Sequence, residues 1–231
     1  MGSVKGNEKE RMALILCLET ATTNCSVALA RDGEVLALKE DYNNKYSHAE
    51  RLHNFISDIL KENRFSPEDL DAVAVSKGPG SYTGLRIGVS AAKGLCFSLD
   101  LPLISVPTLS SLAYQVETEA GDFIFPMLDA RRMEVYTGGF DPDKKQILET
   151  QAKILDARSF EEFLEKGQVT FIGDGVPKFR EICSHENARF IEGKLPSAKE
   201  MATLAHVKFL EEDFEDVAYF EPYYLKDFLL G

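Results

Sequence analysis

A chain of 231 residues, 44% hydrophobic and 28% charged, has the composition of an ordinary globular protein and the length for one large or two small domains. No run reaches the ~18–20 apolar residues of a membrane span and no secretory pattern opens the chain, so a cytoplasmic protein without a membrane role is expected. The net charge of −12 argues against a chain that holds RNA or DNA alone, because Lys and Arg supply most non-specific affinity for phosphates; any nucleic acid would be held through a basic partner.

Residues 1–11 are polar without periodicity and are expected to form a disordered extension before Met12. Residues 13–18 and 26–30 read as strands, and Asp32-Gly33 as a hairpin turn into a third strand at 35–38. Ser47 opens a helix, with Glu50 completing a capping box, and Leu52, Phe55, Ile56, Ile59 and Leu60 form one apolar stripe. Residues 71–76 are a nearly continuous apolar strand of the kind found inside parallel sheets. A tight turn, a helix over 85–99 rich in small residues and a strand at 103–105 complete a β-β-β-α-β-α-β series.

A second series follows a helix expected over 109–120. Strands at 123–128 and 134–140 flank the turn Asp129-Ala130-Arg131-Arg132, and a further strand lies near 153–155. Then come a helix at 159–165, a strand at 169–172 ending in Gly173-Asp174-Gly175, a helix at 177–184 and a last helix at 199–210. The order predicts an α/β fold of two related lobes with mixed sheets, residues 12–108 and 109–231, packed together, the last helix able to pack back on the first lobe.

The turn Gly78-Pro79-Gly80-Ser81-Tyr82-Thr83-Gly84 places three glycines and a proline in seven positions. Such a turn either cradles a ligand or lets another backbone come close. It lacks the glycine spacing of a P-loop, and its G-x-G-x-x-x-G pattern is one residue too long for a dinucleotide fingerprint, which favours the structural use. His48 and His53 lie five apart, ~140° around a helix, so they form a surface pair and not a zincin motif. Cys17, Cys25, Cys96 and Cys183 have no C-x-x-C spacing and read as reduced, buried thiols. No G-x-S-x-G elbow is present.

Leu18-Glu19-Thr20-Ala21-Thr22, Ser47-His48-Ala49-Glu50, and the turn running on through Leu85 and Arg86 together resemble the TsaB (YeaZ) family of tRNA threonylcarbamoyladenosine biosynthesis proteins. Asp129–Tyr136 and the C-terminal Glu221-Pro222-Tyr223-Tyr224-Leu225-Lys226 fit the same family, so the resemblance runs from about residue 14 to 226. It implies the actin-like ATPase fold (acetate kinase, hsp70, actin). It also implies work beside TsaD, the relative that transfers threonylcarbamoyl to adenosine 37 of tRNAs reading codons that begin with A, with TsaE as a third member and TsaC upstream. ATP and metal are then expected on the partners, with no catalytic, cofactor or metal site in the isolated chain, and tRNA is expected only through the complex. TsaD-like proteins carry a His-x-x-x-His metal pair where this register gives Thr108 and Leu112, neither of which can replace a histidine ligand. Two other readings stay open: a small-molecule kinase or ATPase of the same fold, using Glu19 and Asp129, and a peptidase-like protein.

Gly84, Gly88, Ala92 and Cys96 recur every four residues on the second helix, a stripe that would let another helix approach closely. The resemblance implies pairing with TsaD through first-lobe helices. The expected interface is Ser47, His48, Arg51, Leu52 and Phe55 on the first helix with Leu85, Gly88, Val89, Ala92, Lys93 and Cys96 on the second. Without TsaD the same patch could form a homodimer. Alternatively the helix fills a core; Ala92→Arg separates the two, staying folded only if the stripe faces a partner.

Overall fold

The computed structural model describes residues 12–42, 48–119 and 121–226. The first lobe contains β1 (Leu14–Glu19), β2 (Cys25–Arg31), β3 (Glu34–Asp41), α1 (His48–Glu62), β4 (Ala72–Gly78), α2 (Tyr82–Leu99), β5 (Leu103–Pro107) and α3 (Thr108–Ala113). The second repeats the order as β6 (Phe123–Asp129), β7 (Glu134–Phe140), β8 (Gln146–Ile154), α4 (Glu161–Leu164), β9 (Val169–Gly173), α5 (Val176–Arg180), β10 (Ala188–Glu192) and α6 (Ala198–Leu210). The sheets run β3-β2-β1-β4-β5 and β8-β7-β6-β9-β10. In each, the first strand sits centrally, joined by antiparallel pairings to the two strands on one side and by parallel pairings to the two on the other. The duplicated α/β architecture expected from the sequence is therefore present.

β1 is buried along its length because the first sheet is covered on both faces. Alternation sends Leu14, Leu16 and Leu18 toward α1 and α2, and Ala13, Ile15 and Cys17 toward Ala198, Met201 and Ala205 of α6. The last helix of each lobe crosses to the other. While α6 covers the first sheet, Leu109, Leu112 and Ala113 of α3 pack on Ile124, Leu128, Phe140 and Ile172 of the second. The opposite face of the second sheet is aromatic, with Phe125, Phe160, Phe171 and Phe179 ring to ring. Exchanged helices make the lobes depend on each other for burial.

Several expected boundaries move. Strand β8 spans Gln146–Ile154 instead of a short piece near 153–155, and β10 has no counterpart among the expected strands. Both are edge strands, half-exposed, and lack the continuous apolar run that marks a central strand. The helix expected over 109–120 ends at Ala113, because Val116 is buried against α3 while its carbonyl accepts from Lys144 Nζ. The helices expected at 159–165 and 177–184 shorten to α4 and α5. The capping box at Ser47 falls outside the described residues. Among those described, no helix is long and apolar enough to cross a membrane.

Candidate functional site

Thr20 and Ala21, just past the end of β1, decide the use of the glycine turn. Helix α2 starts at Tyr82, capped by Ser81 Oγ, which accepts from Gly84 N–H (3.3 Å), and ends where Asp100 turns left-handed with its N–H on Cys96 O. Gly84 and Gly88 therefore lie inside the helix, against Thr20. Thr20 Oγ1 donates to Gly84 O (2.8 Å), and Ser81 N–H donates to Ala21 O (2.7 Å). A Cβ at Gly80 would lie 2.5 Å from Ala21 O; at Gly84 it would run into Thr20 O, and at Gly88 into Thr20 Oγ1. Gly78, at φ +114°, backs onto Tyr223 O. These glycines admit the chain's own Thr20, Ala21 and Tyr223 at close approach.

Glu19 is completely buried. Its Oε1 accepts from Ala21 N–H (2.6 Å) and Ser76 Oγ (2.7 Å), and its Oε2 is buried with no partner among the described residues. Burial pushes the carboxyl up to about 7, against the opposing pull of the Ala21 and Ser76 hydrogen bonds. Asp129, the other carboxylate of the kinase reading, is half-exposed, accepting from Arg131 N–H (2.6 Å) and paired with Lys178 Nζ (2.9 Å). No three His, Cys, Asp or Glu side chains among the described residues are grouped to hold a metal. Thr108 and Leu112 are fully buried: Thr108 Oγ1 accepts from Gly78 N–H (3.2 Å), and Leu112 sits in the α3 core. Cys17, Cys25 and Cys96 are buried free thiols, pushed up by burial to about 12, 11 and 11.

The stripe of small residues on α2 faces inward. Leu85, Gly88, Val89, Ala92 and Cys96, with Leu52 of α1, are buried in the first lobe itself. The spacing signals a close approach without saying to what, and the neighbour is Thr20 at the end of β1. Phe55 is half-buried against the same core. His48 is buried as well, not a surface residue, with Nε2 2.7 Å from Thr22 O. Arg51 is exposed but pairs with Asp41 (2.7 Å), and Lys93 donates to Ala218 O and Phe220 O. Ser47 lies outside the described residues.

The same two helices present a different face to solvent. An open groove of about 710 Å³ runs between them, walled by Ala49 and His53 of α1 and by Tyr82, Thr83, Arg86, Ile87, Ser90, Ala91, Gly94 and Leu95 of α2. Phe97, 86% exposed, lies one turn beyond Lys93 and Gly94 on α2. A Cβ at Gly94 would meet nothing within 4 Å, so the helix surface is bare there. The groove is mostly apolar, with Arg86 and His53 as its basic side chains and no acidic one.

Three distant motifs converge beside the groove. The tail crosses the glycine turn through Tyr223 N–H, which donates to Lys77 O (2.7 Å). Tyr224 packs on Tyr82, with ring centroids 4.9 Å apart, and its hydroxyl accepts from Arg86 Nε (3.3 Å). Lys226 then pairs with Glu134 at the start of β7.

The family model described as "TsaD: tRNA N6-adenosine threonylcarbamoyltransferase" matches residues 43–229. The chain is 33% identical over 221 residues to the tRNA threonylcarbamoyladenosine biosynthesis protein TsaB of Escherichia coli, covering 92% of this chain and 94% of that protein. The chain belongs to the TsaB family. TsaB of Bacillus subtilis is 41% identical over 124 residues, 54% of this chain and 53% of that one. Solved YeaZ of Pseudomonas aeruginosa superposes with a TM-score of 0.76 at 27% identity, over 93% of this chain and 100% of that one. A second Pseudomonas aeruginosa structure, described as similar to peptidase YEAZ, gives 0.78 at the same identity. The two-lobed actin-like ATPase-type fold of TsaB and TsaD is thus the fold of this chain.

Of the residues on the outward face of α2, Gly94 was not singled out by the sequence, and neither were the contacts of the tail. The sequence does carry a signal for this face, because Arg86, Ser90 and Lys93 form a polar stripe on an otherwise mostly apolar helix. No local signal marks which element the tail reaches.

Proposed function

We propose that this chain serves threonylcarbamoyladenosine formation at adenosine 37 of tRNAs reading codons that begin with A, as the non-catalytic partner subunit of a TsaD transferase, with TsaE as a third member. The observation that carries the reading is the pair Thr108 and Leu112. Where a transferase relative would present two histidines, this chain has a hydroxyl spent on Gly78 N–H and a leucine spent on the core. ATP and metal belong to the partners, since the glycines of the turn are filled by Ala21, Thr20 and the tail. The partner surface is the exposed face of α1 and α2, an apolar groove with a guanidinium on its wall, suited to a helix of a similar lobe. Alone, the chain can pair with its own copy through the same face.

Co-purification with TsaD of the same organism tests the assembly, and a reconstitution with tRNA, ATP, threonine, bicarbonate and TsaC tests the role. Modified adenosine should form only when TsaD is also present. Product from this chain and TsaC alone would sink the non-catalytic reading. Gly94→Trp, on the bare surface of α2, should keep the fold and abolish TsaD binding; undiminished affinity would move the interface elsewhere.

A further inference from the structure

Tyr82 and Arg86 belong to two places at once. They line the α1–α2 groove, and they also hold the tail: Arg86 lies 4.3 Å from the Tyr82 ring centroid while its Nε donates to the Tyr224 hydroxyl. The tail is held unevenly. Its root is fixed by Glu215 N–H to Leu103 O (2.8 Å), by Ser105 Oγ to the Glu215 carboxylate (2.5 Å), by Lys93 on two carbonyls, and by burial of Phe220. Among the described residues, its tip, residues 223–226, is held by the backbone bond to Lys77, by the tilted Tyr224–Tyr82 ring contact with the Arg86 hydrogen bond, and by the Lys226–Glu134 pair. Partly exposed ion pairs and single ring contacts of this kind each contribute little.

We infer that residues 223–226 are a latch between the lobes whose catch is Tyr82 and Arg86, so that occupying the groove and releasing the latch are linked. The groove is lined by Arg86 and His53 and by no acidic side chain, in a chain of net charge −12. An apolar helix bearing a carboxylate complements it, and that carboxylate draws the guanidinium from Tyr224. Losing the catch frees Lys226 from Glu134 and uncovers the turn at Gly78, so the second lobe registers what binds the first. Linkage is reciprocal: opening the latch in advance strengthens binding in the groove. The identity of the occupant, TsaD, rests on the function proposed above; the latch itself does not.

Hydrogen exchange on the full chain, read by mass spectrometry over residues 219–226, tests it. Arg86→Ala and Tyr224→Ala should each speed exchange there at least about tenfold with β1 and α2 unchanged, and saturating TsaD should do the same to the unmodified chain. Tyr224→Ala should also tighten TsaD binding about threefold or more. A tail as well protected in Arg86→Ala as in the parent overturns the latch, as does unchanged protection in a TsaD complex verified by calorimetry. Failure of TsaD to bind counts against the functional reading, and the Arg86→Ala measurement then decides the latch alone.

Discussion

Gly88→Ala is the substitution that most directly separates a core-facing α2 from a partner-facing one. On an exposed helix, replacing glycine by alanine stabilises by about 1 kcal/mol through backbone entropy. Here the new Cβ would fall well inside 3.0 Å of Thr20 Oγ1, closer than real Cβ contacts come. Overpacking of that kind costs about 1–3 kcal/mol. Turning the hydroxyl away also breaks its buried bond to Gly84 O, worth about 1 kcal/mol. The net expectation is a destabilisation of about 1–3 kcal/mol. Gly84→Ala should cost more, because its Cβ meets the backbone carbonyl of Thr20, which cannot rotate aside. Thr20→Ala removes Oγ1 and leaves only ordinary contacts near position 88, so the double variant Thr20→Ala/Gly88→Ala should lose less stability than the two single losses added, by about 1–2 kcal/mol. The chain has no tryptophan, so urea unfolding is followed by far-UV circular dichroism. A Gly88→Ala variant as stable as its parent or more so, with additive behaviour in the cycle, refutes this packing and returns the small stripe to a partner surface.

Ala92→Arg should fail to fold, since Ala92 is completely buried and an unpaired guanidinium there costs several kcal/mol; a soluble, cooperatively melting variant contradicts the inward orientation. Glu19 makes stability depend on pH in an identifiable direction. The folded chain keeps a proton up to about pH 7 that the unfolded chain loses near pH 4.5, so this stability is fully present below pH 4.5 and is lost as pH rises to 7, about 3 kcal/mol in all. Glu19→Gln should therefore gain on its parent between pH 5 and pH 8 in thermal melts, and a constant difference across that range would count against the buried acid. The isolated chain, at net charge −12, should not shift tRNA in gels at physiological salt, whereas its complex with TsaD should; saturable micromolar binding by the chain alone contradicts this.

The repeated order of strands and helices, the central strands and the α1 stripe were all legible in the sequence. Each is written in local periodicity, apolar runs of period 2 or 3.6 bounded by Gly, Pro and Asp. The family was legible too, because short motifs such as Gly78–Arg86 and Glu221–Lys226 keep their residues in order along the chain. Edge strands β8 and β10 were not, since half-exposed strands need no apolar run and pair only once a neighbour is in place. The sequence showed that something must approach Gly84 and Gly88, but whether that was a partner helix or Thr20 depended on which face of α2 the sheet would take. It likewise showed that Tyr223, Tyr224 and Lys226 form a motif, while their contacts to Lys77, Tyr82, Arg86 and Glu134 lie about 90 to 150 residues away in the chain. Contacts at such separations leave no periodic trace in the sequence, because they depend on how two lobes exchange their last helices and pack, and only the tertiary structure decides that.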